Sequence, residues 1–157
     1  MHWRVVGKFE KEAAALADRH YSRRKVGSPQ FMPPGQTVVL LGEKSVFGWW
    51  RPHPSSGIIQ MNGIDGWTCT IFRNETGEGS SDKILEAERH LAALHDCGPH
   101  GMVTYVFRKK VASANPGYCF KMAGWDVIGV SADKKKVLLW KPFELAGVSA
   151  CGWPRQW

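Results

Sequence analysis

The chain has 157 residues, of which 43% are apolar, a size and composition that suit a folded domain with its own core and exclude a largely disordered segment. Its 21 basic and 14 acidic residues leave a net charge of +7, so a polyanion such as nucleic acid, or a phosphate-bearing ligand, is the partner class the totals favour. No apolar run approaches the roughly 18 residues of a membrane span, and Met1-His2-Trp3-Arg4 opens no signal-peptide block, so a soluble, cytoplasmic protein without a membrane partner is expected.

In chain order, Trp3 to Lys8 predicts a short strand, and Phe9 to Arg19 a helix with Phe9, Ala13, Leu16 and His20 on one face. Residues 25–36, rich in Pro and Gly, form a loop of the length that tends to be functional. Thr37–Gly42 and Ser45–Arg51 read as a hairpin turning at Glu43-Lys44. Gly66–Phe72 follows as a strand of β-branched and aromatic residues. A Gly-rich connection, 73–81, then leads into a helix from about Asp82 to Asp96, with Ile84, Ala87, Leu91 and Leu94 on one face and Gly98 closing it. Gly101–Phe107 is a buried-looking strand, Asn115–Ala123 a short helix ended by Gly124, and Trp125–Gly129 with Lys136–Lys141 a closing hairpin. The order β-α-ββ-β-α-β-α-ββ predicts a single α/β domain with a mixed central sheet flanked by helices.

Charge is uneven along the chain: about +5 over residues 1–57, −3 over 58–108 and +5 over 109–157. Cys69, Cys97, Cys119 and Cys151 are widely spaced and read as free thiols. His95, Asp96, Cys97 and His100 have no recognised metal-ligand spacing and read as a solvated loop, so no metal site is expected. Lys134, Lys135 and Lys136 read as a solvated hairpin tip.

The most informative segment is strand–Arg73-x-x-x-Gly77-x-Gly79-Ser80-Ser81–helix. Glycines allow close backbone approach, and unpaired N–H groups at a helix start bind phosphate oxygens. About 40 residues later comes Asn115-Pro-Gly-Tyr-Cys-Phe-Lys-Met-Ala-Gly-Trp125. Together these resemble motifs A and B of the GNAT superfamily of N-acetyltransferases, with one extra residue between Arg73 and Gly77 and a motif B about two residues short.

The resemblance implies a GNAT-like fold and an acetyl-CoA or related acyl-CoA donor. Its diphosphate would lie on the backbone of Thr76, Gly77, Glu78, Gly79, Ser80 and Ser81. Phe72, Arg73, Asn115 and Phe120 would surround the carrier, and its pantetheine would run between splayed central strands.

His20-Tyr21 at the end of the first helix, with Phe72-Arg73 at the end of the central strand, is similar to the Mom family of phage DNA-modification proteins, themselves GNAT-like. The pattern implies catalytic roles for His20, Tyr21 and Arg73, and DNA as the partner. Asn115 stands where that family has an acidic residue, and Phe120 where it has Tyr. An amide is no general base and Phe has no proton to give, so the departures imply a relative acting on another, or an already modified, base. Tyr118 is a candidate for the missing hydroxyl. Arg23, Arg24 and Lys25, with Trp50 and Arg51, combine cations for phosphate with flat rings for bases.

Bland readings stand beside these. His20 reads equally as a hydrogen-bonded core residue and Tyr21 as a cap on the core. Arg73 reads as the partner of Glu75 or Glu78. Trp49 and Trp50 read as strand residues packed on opposite faces. For function, an N-acetyltransferase of a small amine or a protein and a non-catalytic DNA-binding scaffold remain the alternatives.

Overall fold

The structure is a computed structural model that describes residues 2–20, 26–53, 64, 66–95, 101–108 and 115–149. Strands β1 (Arg4–Val6), β2 (Gln36–Gly42), β3 (Ser45–Arg51), β4 (Trp67–Asn74), β5 (Met102–Phe107), β6 (Asp126–Val130) and β7 (Lys136–Lys141) form one sheet in the order β1-β2-β3-β4-β5-β7-β6. Neighbours are antiparallel except β4 and β5, which are parallel. Helices α1 (Lys11–Asp18), α2 (Ser80–Leu94) and α3 (Tyr118–Met122) complete the expected element order. A 3-10 turn, Phe143–Leu145, follows β7 and has no counterpart in the sequence reading. No described helix is long and apolar enough to cross a membrane.

Alternation along β2 divides the core in two. Val38 and Leu40 join Trp3, Phe47, Trp49, Trp67, Ile84, Leu91, Phe120 and Trp125 on the α2 and α3 side. Val39 and Leu41 join Ala13, Leu16, Ala17, Met32, Val46, Trp50 and Ile71 on the α1 side. Trp49 and Trp50 thus pack on opposite faces. The Trp49 indole N–H donates to Ala87 O at 3.0 Å, and the Trp50 indole N–H to Pro34 O at 2.9 Å.

The α2 side contains a buried ion pair. Lys141 Nζ donates to Glu88 Oε1 at 2.5 Å, to Ala123 O at 2.7 Å and to Val148 O at 2.7 Å. Glu88 also accepts from the Trp125 indole at 3.0 Å and from Gly147 N at 3.0 Å. The buried charges are therefore hydrogen-bonded as well as paired, and the network joins α2, β7, the end of α3 and the segment after β7.

Several expectations are corrected. Phe9 lies before α1 and is 58% exposed, because Glu10 N bonds Gly7 O at 3.1 Å and that turn starts the helix only at Lys11. Leu94 is 50% exposed, because the buried stripe of α2 runs through Ile84, Leu85, Ala87, Glu88 and Leu91 and leaves Leu94 at its margin. The helix begins two residues earlier than read, at Ser80, and β4 runs on to Asn74, placing Arg73 within the strand. The helix read over 115–123 is shorter, since Asn115–Gly117 forms a turn with Tyr118 N bonded to Asn115 O at 3.1 Å. The proposed closure of α2 at Gly98 lies outside the described residues.

Candidate functional site

Register between β3 and β4 shifts once. Gly48 pairs with Ile71 and Trp49 with Cys69, leaving Thr70 as an extra residue on β4. Such a bulge bends its strand and increases its twist. The β4–β5 pairing ends at Cys69 opposite Thr104, directly before the bulge, with the Thr104 hydroxyl donating to Cys69 O at 3.0 Å. Beyond that point β4 continues along β3 to Asn74, while β5 continues along β7 to Phe107. The two central strands therefore separate from Thr70 onward, and their facing edges are not paired with each other.

The bulge also resets the faces of β4. Cys69 belongs to the α2-side core, Thr70 Oγ1 lies 3.5 Å from Met32 Sδ on the α1 side, Ile71 is again on the α1 side, and Phe72 returns to the α2 side. Arg73, which plain alternation from Trp67 and Cys69 would put on the α2 side, reaches the end of α1 instead. Its Nη1 donates to Arg19 O at 2.8 Å, and its Nε to Glu75 Oε2 at 2.6 Å. Glu75 also receives Arg19 Nε at 2.6 Å and Nη2 at 3.0 Å. Bonds from Arg19 and then Arg73 hold the Glu75 carboxyl down at about 2.

His20 follows α1 in this cluster, with its amide bonded to Ala17 O at 2.9 Å. Burial, and secondarily the charge of Arg73, push its imidazole down to about 4, so it is neutral at pH 7. The structure thus brings His20 and Arg73 together and adds Arg19 and Glu75. The sequence offers Glu75 as a partner of Arg73, and places Arg19 at the end of the first helix among the cations suited to phosphate.

The connection from β4 to α2 is stiffened from inside. Asn74 Oδ1 accepts from Thr76 N at 3.1 Å and from Thr76 Oγ1 at 2.6 Å, while Asn74 Nδ2 donates to Glu78 O at 2.8 Å and Ser80 Oγ at 2.9 Å. Gly77 at φ 78° and Gly79 at φ 68° hold left-handed conformations that other residues adopt only at a cost. Two of the expected anion donors are already engaged, Thr76 N by Asn74 and Glu78 N by the Thr76 hydroxyl at 3.4 Å. The amides of Gly77, Gly79, Ser80 and Ser81 have no acceptor among the described residues, and Gly79 caps α2 without a side-chain bond. Lys83, which the sequence reading passed over, enters this loop from α2. A lysine on the stripe of Ile84, Ala87 and Leu91 was the available signal. A cleft of about 600 Å³ opens beside the loop, lined by His2, Glu43, Lys44, Glu75, Thr76, Glu78, Gly79 and Lys83.

On the other side of the loop's strand, Phe72 meets Phe120 edge to face, ring centres 6.1 Å apart, so the end of β4 and α3 are in contact. Phe120 is buried and also packs on Trp125 at 5.0 Å. Asn115 accepts a hydrogen bond from Lys121 Nζ, and Tyr118 is 55% exposed. Burial pushes the Cys69 and Cys119 thiols up, so neither is a ready nucleophile at pH 7.

Of the residues read as facing DNA, Trp50 is only 9% exposed, so its ring is core rather than an open stacking surface, and Arg51 ends β3 half-buried. Tyr21, Arg23, Arg24 and Lys25 lie outside the described residues. In the long loop, Met32 is buried against the bulge and Pro34 is held by Trp50, which anchors that stretch to the α1-side core. Among the described residues no three His, Cys, Asp or Glu side chains converge as metal ligands.

No family model, no curated protein and no solved structure matches the chain.

Proposed function

We propose that the chain is an N-acyltransferase of GNAT type that takes its acyl group from acetyl-CoA or a related acyl-CoA and passes it to an amine of a nucleobase in DNA. The observation that carries this reading is the separation of β4 from β5 at the Thr70 bulge, next to a loop whose last amides have no acceptor among the described residues. A pantetheine arm fits between strand edges that need partners, and a diphosphate fits amides at a helix start.

In this reading the acceptor nitrogen attacks the thioester carbonyl, a backbone N–H of the bulged strand stabilises the oxyanion, and the CoA thiolate leaves and takes up the proton the amine gives up. His20 favours the nucleobase over an alkylamine acceptor. An alkylammonium, with an ordinary pKa near 10, needs a base to release its proton, and an imidazole at about 4 is a poor one. An exocyclic nucleobase amine is already neutral at pH 7, and a neutral imidazole suffices to accept its hydrogen bond and orient it. Arg73 then acts on developing negative charge at the end of β4, with Glu75 and Arg19 fixing its fork. The net charge of +7 suits a DNA acceptor.

Two measurements test this. Calorimetry should give a defined acetyl-CoA affinity. Mass spectrometry of nucleosides from cells expressing the protein should show a modified nucleoside that disappears with Arg73→Ala. Transfer to a small alkylamine, with no salt-dependent DNA binding, would replace the acceptor assignment by the small-amine alternative. Absence of acyl-CoA binding would remove the enzyme reading.

A further inference from the structure

We infer that Lys83 is the resident cation of the donor site, a positioning residue that holds the 74–79 loop open from inside and leaves its positive charge for a diphosphate. The inference rests on the donor site proposed above and adds a residue and a cleft that neither motif contains.

Lys83 is 6% exposed and lies on α2 among Ile84, Leu85 and Ala87, where an apolar residue would ordinarily stand. Burying an ammonium is costly unless its donors are satisfied. All three are satisfied, and by the loop alone: Nζ donates to Thr76 Oγ1 at 2.9 Å, to Glu78 O at 3.1 Å and to Asn74 Oδ1 at 3.2 Å. These oxygens are neutral, and Lys83 forms no ion pair among the described residues.

The contrast with Lys141 is informative. Lys141 is also buried and also makes three bonds, but one of its acceptors is the Glu88 carboxylate, so that network is neutral as a whole. At Lys83 the hydrogen-bond requirement is met by neutral oxygens, and no carboxylate lies within ion-pair distance among the described residues. A buried cation with no carboxylate paired to it favours an anion at the nearest accessible surface. That surface is the cleft of about 600 Å³, where Lys83 and Gly79 form one wall and Lys44 and His2 lie opposite. Glu43, Glu75 and Glu78 also line it, and Glu75 is already held by Arg19 and Arg73. Lys83 Nζ lies 4.0 Å from where a Cβ on Gly79 would sit, close to the unpaired amides.

Calorimetry with CoA on the wild-type chain, Lys83→Met and Lys83→Arg tests the assignment, with thermal melts confirming that each is folded. Lys83→Met should raise the CoA Kd at least about tenfold, the scale of one charge-assisted contact, while Lys83→Arg stays within about threefold. Propylammonium, which can donate in place of Nζ, should restore CoA affinity to Lys83→Ala, and tetramethylammonium should not. Unchanged affinity in Lys83→Met, or equal loss in the Met and Arg variants without ammonium rescue, overturns the inference and leaves the donor reading intact. Wild type that fails to bind CoA overturns the donor reading and this inference with it. Should the variants not fold, the wild-type Lys83 Nζ resonance decides. A shift on adding inorganic pyrophosphate supports the assignment, and an unmoved signal at saturating pyrophosphate sinks it.

Discussion

Arg73, at the end of β4, and Glu75, just beyond it, are joined by a 2.6 Å bond from Nε to Oε2, and the same oxygen accepts Arg19 Nε at 2.6 Å. One carboxylate therefore ties the central strand to the end of the first helix, directly before the loop that enters α2. Both arginines keep their direction because they share it.

Replacing Glu75 by Gln should loosen this junction in a pH-dependent way. Its folded pKa, about 2, is depressed from the ordinary 4.5, so its stabilisation is full above about pH 4.5 and is lost as the pH falls toward 2. Melting curves across that window should show the wild type losing stability more steeply than Glu75→Gln. High salt should narrow the difference between them. Parallel curves would mean that the cluster contributes nothing to the fold.

His20 should titrate near 4, and NMR of its ring protons reports this directly. Because burial is the larger cause and the Arg73 charge the smaller, Arg73→Met should raise the value only part of the way to 6.5. The depressed value also favours folding most above pH 6.5, with that contribution falling between 6.5 and about 4, and His20→Gln should lack this slope. A downward shift in Arg73→Met would contradict the pairing.

Lys141 and Glu88 should behave as a unit. Removing either partner leaves a buried charge or a set of unmet bonds, and Lys141→Met or Glu88→Gln should each cost about 3–5 kcal/mol in urea unfolding. The double variant Lys141→Met/Glu88→Leu should recover a large part of that loss. Additive losses would show that the two charges are not coupled.

Gly48 should be intolerant of a methyl group for reasons of space rather than backbone conformation. A Cβ there would lie 2.6 Å from Met32 Sδ and 2.9 Å from Ile71 Cγ2. Gly48→Ala should destabilise by about 1–3 kcal/mol, and the Met32→Ala background should reduce that penalty measurably. An unchanged penalty would mean that Met32 does not occupy the bulge.

What the sequence determined by itself was local. The strands, the helices and their order follow from apolar periodicity and from turn residues, which act over a few positions. The phosphate-loop candidate was legible for the same reason, since Gly77, Gly79 and the helix start are neighbours in the chain. The expectations that failed, the helix starts at Phe9 and Asn115 and the burial of Leu94, are places where a turn bond or a margin of the core overrides periodicity. Only the tertiary structure decided which residues meet. The bulge at Thr70 arises from the pairing of β4 with β3, and it turns Arg73 toward Arg19 and His20, where strict alternation would have sent it the other way. Lys83 reads in the sequence as one more charge on a helix. It becomes a buried cation only because the turn after β4 wraps Asn74, Thr76 and Glu78 around it, contacts close in sequence that depend on the loop's own conformation and leave no trace in apolar periodicity.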